Sequence, residues 1–299
     1  QKGKSDNESA NASMSVRTGR ECFRALSMPE AVTLASGVYR VRASVPSGSK
    51  ATADMVQTDE AFWTIFSFHF LSGEAFTKAD CDAGLTRAVL DATTARKLFG
   101  TTDAVGRTVQ LDYVDYTVAG VVADVSMLAT AAYAQIWVPY TAAGAEAMSW
   151  QNDTMGPMHA IILARSSADF DAIREETELL RKKYNDGLQD VEVFYRGQPD
   201  TQLAYLYRRW YAEPDVPGVM LRYAIVVIIL LLVPAVNLSG MTLSRMRRRM
   251  AEIGVRKAFG ATGGELMRQV FFENLVLTLL AGIVGLALSY VATFALNGF

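Results

Sequence analysis

The sequence predicts an α+β domain, made of two small mixed α/β subdomains, followed by α-helical transmembrane segments. Three observations carry that expectation. The 299 residues have a net charge of −2 and a mean hydropathy of +0.14, but these averages hide a split. Residues 219–299 hold 8 Lys/Arg against 3 Asp/Glu, a net +5, whereas residues 1–218 hold 21 against 28, a net −7. The basic part contains two long apolar runs. The acidic part contains short alternating or periodic segments punctuated by Gly and Pro, the pattern of small strands and helices.

Taken in order, residues 1–20 are small and polar and read as a flexible start. Residues 38–45 alternate as a half-buried strand. Asp59–Phe70 begins like a helix N-terminus, and Phe66, Phe68 and Phe70 then alternate as a strand before a turn at Gly73. Thr86–Leu90 is a strand, and Asp91 caps a helix through Phe99 that Gly100 ends. Residues 107–112 and 116–125 form a hairpin around Tyr113–Asp115, and Gln135–Tyr140 is a further strand. Residues 141–156 are turn-rich.

A second block reads strand 158–164, helix 168–185, strand 190–195, a small α/β layer. The helix carries Phe170, Ile173, Thr177, Leu180 and Tyr184 at three-to-four spacing. Residues 199–211 look helical, and Pro214 and Pro217 separate them from the first long apolar run. Cys22 and Cys81 are equally compatible with a disulfide and with two buried thiols. Sequons stand at Asn7, Asn11 and Asn152.

Residues 223–236 hold no charge and, extended to 219–242, reach the ~20 residues that cross a ~30 Å hydrocarbon core. Pro234 is expected to kink this span. Thr262 and Glu265 spell a capping box, and a helix from 264 to 297 comes next, roughly 50 Å long at ~1.5 Å per residue. Between the spans lies residues 243–263, with Arg245, Arg247, Arg248, Arg249, Arg256 and Lys257. Lys and Arg beside a span resist translocation. Arg245, Arg247 and Arg248 therefore anchor this connection in the cytoplasm and place residues 1–218 outside it. That orientation calls for a hydrophobic span upstream of Gln1. Ala281, Gly285, Ser289 and Thr293 recur every four residues, a spacing that lets helices approach closely in lipid.

The chemistry of common enzymes is missing from these motifs. Gly100–Thr108 imitates a phosphate-binding loop, but it has one residue too many between the glycines and Arg where Lys is needed. His69 and His159 have no ligand-like spacing, and Gly-x-Ser-x-Gly is absent. Asp80/Asp82 and Glu175/Glu176/Glu178 read as solvated surface. No catalytic residue, cofactor, metal or nucleic-acid partner is expected.

From Arg249 to Thr262 the sequence Arg-Met-Ala-Glu-Ile-Gly-Val-Arg-Lys-Ala-Phe-Gly-Ala-Thr, followed by Met-Arg-Gln-Val-Phe-Phe-Glu-Asn, resembles the FtsX/MacB-like permeases of bacterial ABC transporters. Residues 56–125 are similar to that family's extracytoplasmic domain. The resemblance implies a non-catalytic permease subunit with a periplasmic domain (1–218), spans at 219–242 and 264–297, and a cytoplasmic coupling segment (243–263). It implies two further spans, one before residue 1 and one after residue 299. The expected partners are a separate ABC ATPase, a second permease subunit and membrane lipid, with a periplasmic adaptor or envelope enzyme as a further candidate.

By the same comparison Arg249, Glu252, Ile253, Gly254, Val255, Arg256, Lys257, Phe259 and Gly260 make the ATPase-coupling site. Ile253, Val255 and Phe259 would face an apolar partner, and Glu252 and Arg256 would pair along the helix. Charge alone favours a simple anchor on lipid headgroups; the ordered apolar positions favour docking. Efflux or release of a hydrophobic or amphipathic cargo is the first functional expectation. A module that regulates an envelope enzyme or senses a peptide is the second.

Overall fold

The structure, a computed structural model, describes residues 2–3, 11–208 and 214–297. It divides into two compact units, Gln1–Asp215 and Val216–Phe299. The first is a mixed α/β domain and the second is helical.

The first unit has eleven strands among its described residues: β1 (Lys2–Gly3), β2 (Ala31–Ser36), β3 (Tyr39–Ser44), β4 (Lys50–Thr58), β5 (Phe70–Gly73), β6 (Arg87–Asp91), β7 (Thr108–Leu111), β8 (Val114–Val122), β9 (Ile136–Pro139), β10 (Met158–Leu163) and β11 (Val191–Glu192). Seven of them follow the order β5-β8-β6-β9-β4-β3-β7, and β7 pairs back onto β8. Thr117 of β8 has Arg87 of β6 as one neighbour and Thr108 of β7 as another. β8, β6, β9, β4, β3 and β7 therefore close into a ring, which leaves those strands with few open edges. β5 adds to β8 beyond the end of β7, through Gly73 opposite Gly120.

Both faces of the ring are covered, so its central strands are apolar without alternation. Leu90, Ile136 and Val138 join the inner cluster with Val41, Val109 and Val118. Their chain neighbours Val89 and Trp137 join Phe62, Phe76 and Val122 on the other side. The helix Ala92–Phe99 supplies Ala92, Ala95 and Leu98 to the inner cluster. Its ends fall where the sequence places them: Asp91 accepts from the Thr94 N–H at 2.7 Å, and Gly100 ends it at φ 75°.

The sequence reading differs from the structure at several points. Residues 14–20 are ordered rather than flexible: Ser15 caps the helix Val16–Gly19, and the Thr18 hydroxyl lies 3.0 Å from the Tyr184 hydroxyl. Positions 1 and 4–10 of the segment expected to be flexible, Asn7 among them, lie outside the described residues. Phe66 and Phe68 precede β5 rather than forming it. Their rings pack with Phe62 and Trp63 in an aromatic cluster, which outweighs the strand alternation. The hairpin turns at Asp112 and Tyr113, both at positive φ, one residue earlier than expected. Residues 145–148 form a short 3₁₀ turn.

The second block has the expected strand, helix and strand in order, but its two strands do not pair with each other. β10 pairs antiparallel with β2, with Met158 opposite Ser36 and Leu163 opposite Ala31, whereas β11 pairs with β1. The strand expected over 190–195 shrinks to two residues. The Asn185 side chain takes the Val193 N–H at 2.9 Å and donates to its carbonyl at 2.8 Å, in place of a strand partner. The helix Phe170–Asp186 buries Ile173, Thr177 and Tyr184. The last described helix of this unit is Gln202–Tyr207; residues 209–211 of the expected helix lie outside the described residues.

A buried charge network joins the opening helices to the ends of β2 and β4. Asp59 is 1% exposed, and its carboxylate accepts from the Thr33 hydroxyl at 2.7 Å and the Leu34 N–H at 3.1 Å. Arg24 lies 3.4 Å from Asp59 and 2.8 Å from Glu60, and donates to the Val32 carbonyl at 2.7 Å. Cys22 and Cys81 are free thiols in separate clusters, so the disulfide alternative falls.

The second unit holds helices Val216–Arg248, Met250–Ala258 and Gly263–Asn297. The first continues through Pro234. The first and third are long and apolar enough to cross a membrane, and their most apolar windows are not buried within the chain. Surfaces of that size need an apolar solvent.

Candidate coupling site

The connection between the long helices is a nine-residue helix with a defined stop. At its C-terminus the Ala261 N–H reaches the Arg256 carbonyl at 3.0 Å and the Gly260 N–H reaches that of Lys257 at 3.1 Å. Gly260 sits at φ 94°. This paired reversal satisfies carbonyls that the helix end leaves open, and it needs a residue that tolerates the left-handed region. The next helix starts at once. The Thr262 N–H donates to Glu265 Oε2 at 2.9 Å and the Glu265 N–H points back to Thr262 Oγ1 at 3.4 Å, the capping box legible in the sequence. Between the two caps the chain has almost no unassigned residues.

Charged side chains cross this turn. Arg256 donates to Glu252 at 2.6 Å, as its spacing predicts, and also to Gln269 at 2.6 Å on the following helix. Arg249 donates to both carboxylate oxygens of Glu273 at 3.0 and 2.8 Å. Sequence reasoning assigns both arginines to the coupling site but reads Gln269 and Glu273 only as polar residues in the first third of the following helix. Their signal was present: two polar residues four apart, hence on one face of a helix otherwise becoming apolar.

The three apolar residues expected to share one docking face are divided. Ile253 is half-buried, whereas Val255 is 58% and Phe259 88% exposed. At ~100° per residue, Ile253 falls close to the side of Arg249 and Arg256, and Val255 lies well round the helix. Gly254 and Lys257 are exposed, as are Arg245, Arg247 and Arg248. An open groove of ≈ 440 Å³ is lined by Arg256, Phe259, Gly260, Ala261, Glu265, Leu266 and Gln269. Ala281, Gly285, Ser289 and Thr293 all lie exposed on the last helix. His69 directly precedes β5, and His159, on β10, lies 3.1 Å from the Ser13 hydroxyl.

Comparison with known proteins covers both units. Residues 2–180 match the MacB-like periplasmic core domain and residues 224–299 the FtsX-like permease C-terminal region. The chain is 29% identical over 231 residues to the pyoverdine export ATP-binding/permease protein PvdT of Pseudomonas aeruginosa, covering 76% of this chain and 33% of that protein. It is 26% identical over 249 residues to the macrolide export ATP-binding/permease protein MacB of Chromobacterium violaceum, covering 83% and 36%. The chain thus spans about a third of the length of these relatives, whose names join ATP binding and permease function. The crystal structure of the periplasmic region of MacB from Actinobacillus actinomycetemcomitans is similar at 17% identity and a TM-score of 0.46, over 60% of this chain and 78% of that one. With family matches covering most of the mixed α/β domain and most of both long helices, the chain belongs to the MacB/FtsX-like permeases of ABC transporters.

Proposed function

We propose that this chain couples ATP hydrolysis by a partner ABC ATPase to movement of its outer domain, for efflux or release of a hydrophobic or amphipathic cargo. Residues 1–218 lie on the periplasmic side of the inner membrane, residues 219–242 and 264–297 span it, and residues 243–263 face the cytoplasm. The basic connection supports this orientation, because Lys and Arg beside a span stay inside. Two such chains, or one with a related permease, make the working unit. The every-fourth-residue stripe from Ala281 to Thr293 is its helix–helix contact, and a periplasmic adaptor or envelope enzyme meets the outer domain. The relatives' printed names, pyoverdine export and macrolide export, support an export role.

The observation that carries the coupling role is the exposure of Phe259, at 88%, beside a turn capped on both sides. A large ring held in water on a rigid, basic element is an anchor for a partner's apolar pocket. The connecting helix docks through Phe259 and Val255, which fall about 40° apart round it. The test is purification of the intact permease with its cognate ATPase after Phe259→Ala together with Val255→Ala. Loss of co-purification and of permease-stimulated ATP hydrolysis, each by about tenfold or more for a central anchor, is expected. A wild-type yield of complex overturns the docking role.

A further inference from the structure

The two polar contacts that cross the turn have an ordered geometry. Arg249 precedes the connecting helix and Arg256 lies near its end; seven residues apart, they fall on one side of it, two turns from each other. Their partners Glu273 and Gln269 stand four apart on the following helix, one turn from each other. The earlier arginine reaches the later partner, so the two helices run antiparallel with two separated ties. On the following helix Leu266, Val270 and Asn274 are half-buried, a stripe beside those partners at the same four-residue spacing. Between the arginines only Ile253 is half-buried, while the rest of residues 250–258 are exposed.

Exposed charged contacts stabilise a fold little, so two of them holding a short helix in register point to positioning rather than stability. A single tie leaves a helix free to swing about it; two ties two turns apart remove that freedom. From this we propose that Arg249–Glu273 is a positioning clasp, with Arg256–Gln269 as its second point. It makes the connecting helix and the base of the last span one rigid lever. The proposal rests on the coupling role above, and it assigns the transmission of movement to residues that do not themselves touch the ATPase. Phe259 and Val255 set whether the ATPase binds; Arg249 and Glu273 set whether its movement reaches the membrane.

The test uses the intact permease in lipid with its ATPase, comparing Glu273→Ala, Glu273→Arg, and the charge swap Arg249→Glu with Glu273→Arg. Each single variant is expected to co-purify with the ATPase at wild-type yield, yet to lose permease-stimulated ATP turnover by about tenfold with the KM for ATP unchanged. The swap is expected to restore turnover to within about threefold. A second measurement needs no ATPase: a spin label on Ala258→Cys, an exposed position, in a chain whose native thiols are both buried. Its motion should increase in each single variant and return to the wild-type spectrum in the swap. Unchanged label motion in Glu273→Ala overturns the clasp, as does a folded swap that fails to restore that motion. If wild-type permease does not bind the ATPase while the label responds as expected, the clasp stands and the coupling role falls.

Discussion

Arg24 sits between two consecutive carboxylates, 3.4 Å from Asp59 and 2.8 Å from Glu60, and only the first of these is buried. Desolvation raises the Asp59 pKa above the usual carboxylate value, opposed by Arg24 and the Thr33 hydroxyl. Removing the Asp59 carboxylate takes a buried acceptor from the Thr33 hydroxyl and the Leu34 N–H while Arg24 keeps Glu60, and a buried donor left without its acceptor costs about 1–3 kcal/mol. Asp59→Ala is expected to lower the α/β domain's stability by about that amount, read from thermal unfolding of the solubilised chain. The pH response has a definite sign. A folded-state pKa above the unfolded one means that the native state binds the proton more tightly. Stability therefore falls as pH rises from about 4 through the raised native value, and Asp59→Asn should flatten that slope.

Gly73 and Gly120 face each other across β5 and β8. A Cβ on Gly120 would sit 2.6 Å from the Glu74 carbonyl oxygen, and one on Gly73 would sit 2.2 Å from that of Ala119. Both obstacles are backbone and cannot swing aside. Gly120→Ala should cost roughly 1–3 kcal/mol through overpacking. Gly73→Ala should cost more, because φ is also +65° there. The ranking is checked by unfolding midpoints of the two variants.

Burial holds both thiols well above their ordinary range, Cys22 at about 11 and Cys81 at about 12. Neither forms appreciable thiolate at neutral pH, and the thiolate is the reactive species. Thiol titration should find neither cysteine in the native protein and both after denaturation, with or without prior reductant. A requirement for reductant would indicate a bridge and contradict the structure.

Asp91 caps the helix that lines the ring, through the Thr94 N–H at 2.7 Å. Asp91→Ala should cost about 1–2 kcal/mol, while Asp91→Ser should recover most of it. Amide hydrogen exchange at Thr94 and Ala95 will report the loss at the site itself.

On the last helix, Gly285→Leu should weaken association between permease subunits if the small-residue stripe is the contact, without altering membrane insertion. Energy transfer between labelled subunits in lipid reads the difference, and unchanged association argues against that face.

What could be read from the sequence depended on how local the causes were. The helix Ala92–Phe99 was legible to the residue, because Asp91 and Gly100 write both of its ends. Thr262 and Glu265 likewise announced their capping box, and the uncharged run from Tyr223 to Val236 announced a span. Residues 14–20 were missed because Ser15, Thr18 and Gly19 are small and polar in composition, yet are buried by partners far along the chain. Gly19 is closed in by Leu34, and Thr18 meets Tyr184. β10 and β2 pair across more than a hundred residues, a choice no window of sequence contains. At the candidate site, the Glu252–Arg256 pair came from spacing, but Glu273 did not. Its role depends on the chain reversing at Gly260, and a helical pattern alone does not say where a neighbouring helix will lie.

The closed ring of strands has a consequence for crowding. Two long apolar helices confine a chain like this one to a sheet of lipid, where copies meet at far higher local density than in free solution. An open, long strand edge would then be a standing invitation for one molecule to extend the sheet of the next. Because β7 returns to β8, the six ring strands pair with one another, and encounters at the ring are left to side chains. Side chains can be selective where backbone amides cannot. A ring that closes on itself thus lets these molecules be packed densely and still choose whom they bind.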